Sequence, residues 1–397
     1  MLTIGTYILS PLDCCLIAAA ALLLVYQVVF LARYIGAVPR ALRRSRLAKA
    51  DAETSPDTDT RPGVSVIICA RNEGDNIRDY LHAVLTQDYP LFEVIVVNDR
   101  SQDDTREAVE WYMVRDRRVR MTFVPMDARV GSSKKLALTL GAKSAHYDIL
   151  LLTDADCRPD SPQWISRMVA PFANPDTQIV LGYGAYYHTR DAVNALVRYD
   201  TLFNGLHYLG AALTRRPYMG VGRNLAYRKP FFFSTGGFTT MMQILAGDDD
   251  LFVNHNANRR NTVAVVLPDS ITWSVPKRTL TEWLQQKRRH LGVSPHYRFA
   301  TRLHLAFEPF TRGLLYALPI ACFVLWYMGL ASVWTLLAAA VAWLIRMLLL
   351  IVLIQVAHYR LHRSCACLWT PWHDMILPLI SLYMLLTAPL HRHKTRW

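Results

Sequence analysis

Three stretches of the chain carry too few polar positions for a water-facing element. Cys14 to Ala32 is 19 residues without a charge, and Arg33, Arg40, Arg43, Arg44, Arg46 and Lys49 follow it. A helix of about 20 apolar residues crosses the ~30 Å hydrocarbon core of a bilayer, so this stretch reads as a membrane span. No basic region precedes it and it is too long for a signal-peptide core, which makes it an uncleaved anchor. The cations after it put the chain from about residue 36 onward on the cytoplasmic side. Gly313 to Ile345 is 33 residues without a charge, and Met347 to Ala357 continues beyond Arg346. Together they suffice for two helices with a turn near Gly329 to Ser332, and Pro319 is expected to kink the first. Arg346 is expected to snorkel, to face a polar cavity, or to pair within the bundle. Met375 to Leu390 is 16 residues with Pro378 and Pro389; it either spans or re-enters. If it completes three crossings, the basic tail from His391 to Lys394 stands outside, against the positive-inside tendency.

The middle of the chain has a different rhythm. Asp51 to Pro62 is polar and reads as a solvated linker. Val64 to Ala70 (VSVIICA), Glu93 to Val97 (EVIVV), Met121 to Pro125 and Ile149 to Thr153 (ILLLT) are short apolar runs, the mark of strands buried on both faces. Helical spacing lies between them, over Asp75 to Leu85, Thr105 to Val114 and Lys134 to Ala145. Strands alternating with helices predict an α/β fold with a mostly parallel sheet covered on both sides. The expected organisation is an anchor over 1–35, a basic segment and linker over 36–62, a cytoplasmic domain over 63–304, and a membrane segment over 305–397. In such sheets ligands collect at the carboxyl ends of the strands. Polar clusters around Arg71, Asp99 and Asp154 all fall there.

Composition narrows the class. Apolar residues are 52% and charged residues 19% of the 397, below the roughly 25% charge of a soluble domain. Global disorder and a disulfide scaffold are excluded, and seven Cys fit reduced thiols. Lys and Arg number 44 against 31 acids, for a net charge of +13. Because the excess sits beside apolar spans, it points to lipid head groups and not to nucleic acid. Cys365 and Cys367, near His358 and His362, lack zinc-site spacing.

Four polar clusters can carry chemistry. Asp154-Ala155-Asp156 follows ILLLT, and two carboxylates one residue apart at a strand end can hold Mg²⁺ or Mn²⁺ together with substrate phosphates. A solvated turn is the plainer account. Arg71, Glu73 and Asp99 can meet ribose or base, although Asp99 and Ser101 can equally make a cap or Asx turn. Gly247-Asp248-Asp249-Asp250 holds one possible general base, its proton affinity raised by like-charged neighbours. Acids in a helix's first turn are the structural alternative. Trp283 to Tyr297 (WLQQKRRHLGVSPHY) is basic and aromatic, suited to the membrane surface or, for one Arg and one Gln, to a pyrophosphate. No dinucleotide or P-loop signature occurs.

Taken in order, these motifs resemble the membrane-bound, inverting family 2 glycosyltransferases, which have a GT-A-type fold. The resemblance runs from Val64 to about His296. It implies nucleoside contacts for Glu73 and Asp99, with Arg71 in the same loop, and a nucleotide-facing Lys134. It further implies metal ligation by Asp154 and Asp156, and an acceptor-side Asn224 in GVGRNLAYRK. In GDDDLF the second acid of a pair would be the base, which selects Asp249 beside Asp248, with Asp248 and Asp250 as alternatives. QKRRH resembles a Q-x-x-R-W box, giving Gln286 and Arg289, with His290 where the family has Trp. That Trp helps polymerising members hold the acceptor sugar. The expected activity is therefore metal-dependent transfer from a nucleotide-diphosphate sugar, with UDP-sugar favoured, to a lipid or glycan acceptor at the cell inner membrane. A processive polysaccharide synthase, nucleotidyl transfer, and a nucleotide-binding transporter or scaffold are the alternatives.

Overall fold

The computed structural model describes residues 3–4, 7–50, 61–128, 131–362 and 369–387. Most of the linker, the Cys365–Cys367 pair and the basic tail lie outside the described residues. The chain falls into two compact units, Met1–Pro39 with Phe299–Trp397, and Arg40–Arg298.

In the first unit a two-strand ladder, β1 (Thr3–Ile4) and β2 (Tyr7–Ile8), precedes α1 (Pro11–Phe30). Ser10 and Asp13 form a reciprocal capping box there, satisfying the first free N–H groups of the helix. A π-helical turn (Leu31–Ile35) leads into α2 (Ala37–Ala50). The apolar pattern of the anchor thus becomes one nearly continuous helix.

The second unit continues through β3 (Val64–Ala70), α3 (Gly74–Leu85), β4 (Phe92–Asn98), α4 (Thr105–Arg115), β5 (Val119–Phe123), α5 (Ser133–Ser144) and β6 (Ile149–Asp154). Next come β7 (Cys157–Pro159), α6 (Trp164–Val169), β8 (Ile179–Leu181), β9 (Gly184–Tyr186) and α7 (Ala192–Leu213). It closes with β10 (Leu225–Arg228), α8 (Lys229–Ser234), α9 (Asp250–Asn256), β11 (Thr262–Ala264), β12 (Thr272–Ser274) and α10 (Leu280–Leu291). The seven-stranded sheet has the order β11-β8-β10-β6-β3-β4-β5, and β10 runs antiparallel to both its neighbours. A small sheet, β7-β12-β9, stands apart from it.

The mostly apolar strands are buried on both faces: Val64, Val66, Ile67, Val94, Val96, Leu150 and Leu151 are inaccessible. One face packs on α3, α4 and α6 through Leu81, Val109, Trp164 and Met168. At roughly 25 cal/mol per Å² of apolar surface, this burial is the main force holding the unit together. Register then places the chemistry. Cys69 pairs with Asp154 and Ala70 with Asn98, so β3, β4 and β6 end level with one another. Leu225 pairs with Leu152, so antiparallel β10 begins at the edge where the parallel strands end.

The first unit resumes with α11 (Phe299–Tyr327), α12 (Val333–His362) and α13 (Thr370–Thr387). Among the described residues three helices are long and apolar enough to cross a membrane: Pro11–Ser45, Phe299–Tyr327 and Val333–His362. The expected turn falls between α11 and α12, at Gly329, whose φ of +71° favours glycine. Arg346 takes the third of its anticipated fates. It is fully buried and pairs with Asp374 on α13 at 2.5 Å. Arg312 bonds the other oxygen of Asp374 at 2.9 Å, and Tyr316 donates to the carboxylate at 2.8 Å. Gln27 accepts from Arg346 Nε at 3.0 Å and donates to Thr311 at 3.0 Å.

Candidate functional site

Three loops meet at the carboxyl edge of the large sheet, and the two after β3 and β4 are stitched together by hydrogen bonds. Asn72, with φ of 56°, receives a hydrogen bond at its side chain from Gln102 N and donates its N–H to Ser101 Oγ. Glu73 N donates to Thr105 Oγ1. The Asx turn after β4 belongs to Asn98, whose Oδ1 accepts from Ser101 N at 3.0 Å. Asp99 does not make that turn: it is buried, and its carboxylate pairs with Arg100 at 3.2 Å. Arg71 is exposed at the mouth of the same edge.

Asp154 ends β6, and Asp156 lies in the two-residue turn before β7. Ligand atoms of Asp154, Asp156 and Cys157 lie within 4.8 Å of one another. Burial pushes the Cys157 thiol well above its ordinary value, with Asp156 adding to the effect, so it stays protonated and leaves the two carboxylates as the groups that could hold a hard cation. Burial would raise Asp154 too, but the Lys134 ammonium at 2.9 Å outweighs it and holds the carboxyl below its usual range. Asp156 is raised, first by burial and then by Asp154. Glu73 is raised by burial and by these same acids. A pair of adjacent carboxylates, one destabilised by the other, fits a divalent cation.

Lys134 joins two clusters. From the first turn of α5 its Nζ reaches Asp154 and, at 3.5 Å, Asp248. The Asp248–Asp250 acids enter the site through Gly247, whose φ is +86°. A Cβ there would fall 2.7 Å from Leu251, so glycine is required twice over. The three acids differ in what holds them. Asp250 is buried and accepts from Tyr297 OH at 2.7 Å and from Leu251 N. Asp249 is half-buried, caps α9, and accepts from Asp250 N at 2.8 Å and Gly222 N at 2.6 Å. Asp248 Oδ2 is buried without a hydrogen bond, facing the Lys134 ammonium. Burial, then the charges of Asp248 and Asp250, push Asp249 up to about 8. Burial raises Asp250 to about 6, with the Tyr297 hydrogen bond opposing it.

The other side of the site comes from α10. Gln286 donates to Tyr186 OH at 3.2 Å, and the Tyr186 ring carries the Arg223 guanidinium at 4.3 Å. Arg223 also donates to Ser274 Oγ at 2.8 Å and to Gly184 O at 3.2 Å, and its charge favours the ionised forms of Asp154 and Asp156. Arg289 is partly buried beside exposed His290. The surrounding protein, and then the Arg289 charge, lower the proton affinity of the His290 ring.

One expectation is corrected. Asn224 does not face an acceptor: it is fully buried, donating to Tyr183 O and Ser270 O and accepting from Trp164 Nε1 at 3.0 Å. All its polar atoms are spent on joining β10 to the small sheet and α6, and the G-x-N stretch meets the site through Gly222 and Arg223 instead. Within the basic stretch, Lys287 pairs with Asp200 at 2.6 Å. Sequence reasoning missed Arg223, Tyr186, Lys135 and Tyr297. The first sits inside a motif already singled out, Lys135 is half of a Lys-Lys pair and Tyr297 ends the basic, aromatic stretch, but Tyr186 carries no local signal.

Comparison with known proteins follows the same lines. The sequence model of a family described as Glycosyl transferase family 21 matches residues 15–393. Glycosyltransferase AglE of Haloferax volcanii is 33% identical over 149 residues, 37% of this chain and 47% of that protein. The poly-β-1,6-N-acetyl-D-glucosamine synthase of Staphylococcus epidermidis is 34% identical over 94 residues, 24% of this chain and 22% of that protein. The matches thus span less than half the length of these relatives. The mannosyltransferase PcManGT from Pyrobaculum calidifontis, solved with GDP-Man and Mn²⁺, superposes over 95% of this chain and 100% of its own, with a TM-score of 0.55 and 22% identity. That likeness concerns the fold.

Proposed function

Since the chain belongs to glycosyl transferase family 21, we propose that it moves a sugar, with inversion, from a nucleotide-diphosphate sugar to a hydroxyl of a membrane-associated lipid or glycan. The observation that carries this reading is the meeting of Asp154 and Asp248 on one ammonium, Lys134. It joins a cation-binding pair to an acid cluster, as a displacement with a charged leaving group at one end and a proton acceptor at the other requires. Asp154 and Asp156 would hold Mg²⁺ or Mn²⁺, which neutralises charge on the departing diphosphate. Lys134 lends a second positive charge to the same oxygens. Arg71, Glu73 and Asp99 line the nucleoside end of the edge.

Asp249 accepts the proton of the acceptor hydroxyl. The hydroxyl oxygen bonds to the anomeric carbon as the bond from that carbon to the diphosphate breaks. A proton affinity raised to about 8 suits this role better than that of a free aspartate. Asp248 keeps Lys134 oriented, and Asp250 is committed to Tyr297. Arg289 and Gln286 stabilise the leaving group as its charge grows, and His290 borders the acceptor side. A lipid-borne acceptor is favoured because the catalytic unit is tethered in sequence to apolar spans at both ends. Those spans and the basic cluster after the anchor support a cytoplasmic active site on the cell inner membrane.

The test is a panel of labelled UDP- and GDP-sugars incubated with membranes containing the full chain, with lipid-soluble and polymeric products separated. Release of nucleoside diphosphate with label in a lipid fraction supports the reading. Label in a polymer favours processive synthesis, pyrophosphate release favours nucleotidyl transfer, and binding without release favours a scaffold.

A further inference from the structure

Lys135, next to the lysine that joins the two acid clusters, has no solvent exposure. Lysines are almost never buried so fully unless paired. Its partners are not carboxylates but three backbone carbonyls: Met241 O at 2.9 Å, Ile244 O at 2.7 Å and Ala246 O at 2.7 Å. An ammonium has three donors, and all three are spent on one loop more than 100 residues away in sequence. That loop, Met-Met-Gln-Ile-Leu-Ala, is apolar and irregular beyond the short 3₁₀ turn Thr239–Met241, and it runs directly into Gly247 and the acid triplet. It is pressed from the α5 side as well. A Cβ on Gly131 would fall 2.7 Å from Gln243 Cα and 2.9 Å from Met242 O.

We propose that Lys135 is a positioning residue for glycosyl transfer: its buried ammonium gathers the carbonyls of loop 241–246 and thereby sets where Asp248 and Asp249 stand relative to Asp154. The first turn of α5 then carries two lysines with separate tasks. Lys134 touches the acids themselves, while Lys135 holds the backbone that delivers them. Both hang from one helix turn, started by the Ser132 cap, whose Oγ accepts from Lys135 N. A shift of that turn therefore moves donor-side and acceptor-side groups together. A displacement of about 1 Å at reacting groups can cost roughly 100-fold in rate.

The inference rests on the role proposed for the acid triplet, and its test separates the two. Full-length Lys135→Met and Lys135→Arg variants in detergent are compared with wild type for kcat, donor KM and amide hydrogen exchange across 241–246. Lys135→Met is expected to exchange faster in that loop and to lose about 10- to 100-fold in kcat, with donor KM unchanged. Lys135→Arg, which keeps charge and donors, is expected to recover part of the loss. Unchanged loop exchange in Lys135→Met would overturn the clamp, whatever the base proves to be. Faster exchange with wild-type kcat would overturn the positioning role. Should Lys135→Met not fold, Gly131→Ala crowds the same loop with Lys135 intact. It is expected to lower kcat selectively, and a wild-type kcat there would count against the proposal.

Discussion

In the membrane unit, Arg346 and Asp374 are wholly buried and meet directly, with Arg312 on the second carboxylate oxygen and Glu308 on Arg312 at 3.2 Å. Two guanidinium groups face two carboxylates. In the catalytic unit, Asp154, Asp156, Asp248, Asp249 and Asp250 gather about Lys134 and Lys135, with Arg223 nearby. There the acids outnumber the cations, and several of them hold their protons more tightly than a free aspartate. The two clusters use the same residue types in opposite ways. Matched charge balances itself and joins helices. Unmatched negative charge leaves a site that a cation relieves and that can accept a proton. Burial of charge alone does not mark function; an imbalance does.

The contrast can be broken at several points. The largest effect is expected from Asp249→Asn, a turnover loss of about 10² to 10⁴, with sugar-nucleotide binding retained in a direct binding assay. Full activity there, with Asp248→Asn inactive, would move the base to Asp248. Asp374→Asn tests the matched cluster. It leaves two buried guanidinium groups short of a counter-charge and should cost about 3–5 kcal/mol, read from thermal unfolding in detergent, while the kcat of the folded fraction holds. Arg346→Met should cost less, because Asp374 keeps Arg312 and Tyr316.

Asp156→Asn sharpens the comparison from the other side. Removing an acid from the unmatched group relieves repulsion, so stability should not fall. Affinity for Mn²⁺, measured by titration, should drop by at least about tenfold, the lower end of what supporting residues of metal sites contribute. A destabilised Asp156→Asn protein would show that the acids there are structural. The smallest effect concerns pH. A folded-state value near 8 for Asp249, against an ordinary 3.8, means the carboxylate form grows as pH rises from 7 to 9. Turnover should climb across that window by up to about tenfold, and Asp249→Asn should flatten the limb. An acid limb near pH 4 would contradict the assignment.

Much of this was legible without coordinates wherever the information is local. A run such as VSVIICA can be buried only on both faces, so the strands β3, β4 and β6, their helices and the carboxyl edge with its polar clusters follow from periodicity. The placement of Asp154 and Asp156 followed with them, being tied to the end of ILLLT. Asn224 shows where this fails. Its motif position suggested a substrate, yet its partners Trp164, Tyr183 and Ser270 come from three distant segments, and nothing in its neighbours' sequence announces them.

By itself the sequence determined the apolar spans, the alternation that builds the parallel sheet, and the strand-end acids, because burial along a helix or strand repeats with the chain's own period. Only the tertiary structure decided that Arg346 meets Asp374, that Asp250 is held by Tyr297 while Asp249 lies half-buried on Gly222 N–H, and that Lys135 grips a loop beyond residue 240. Those outcomes depend on the register between segments far apart in sequence, and a partner for a buried charge is selected by distance in space.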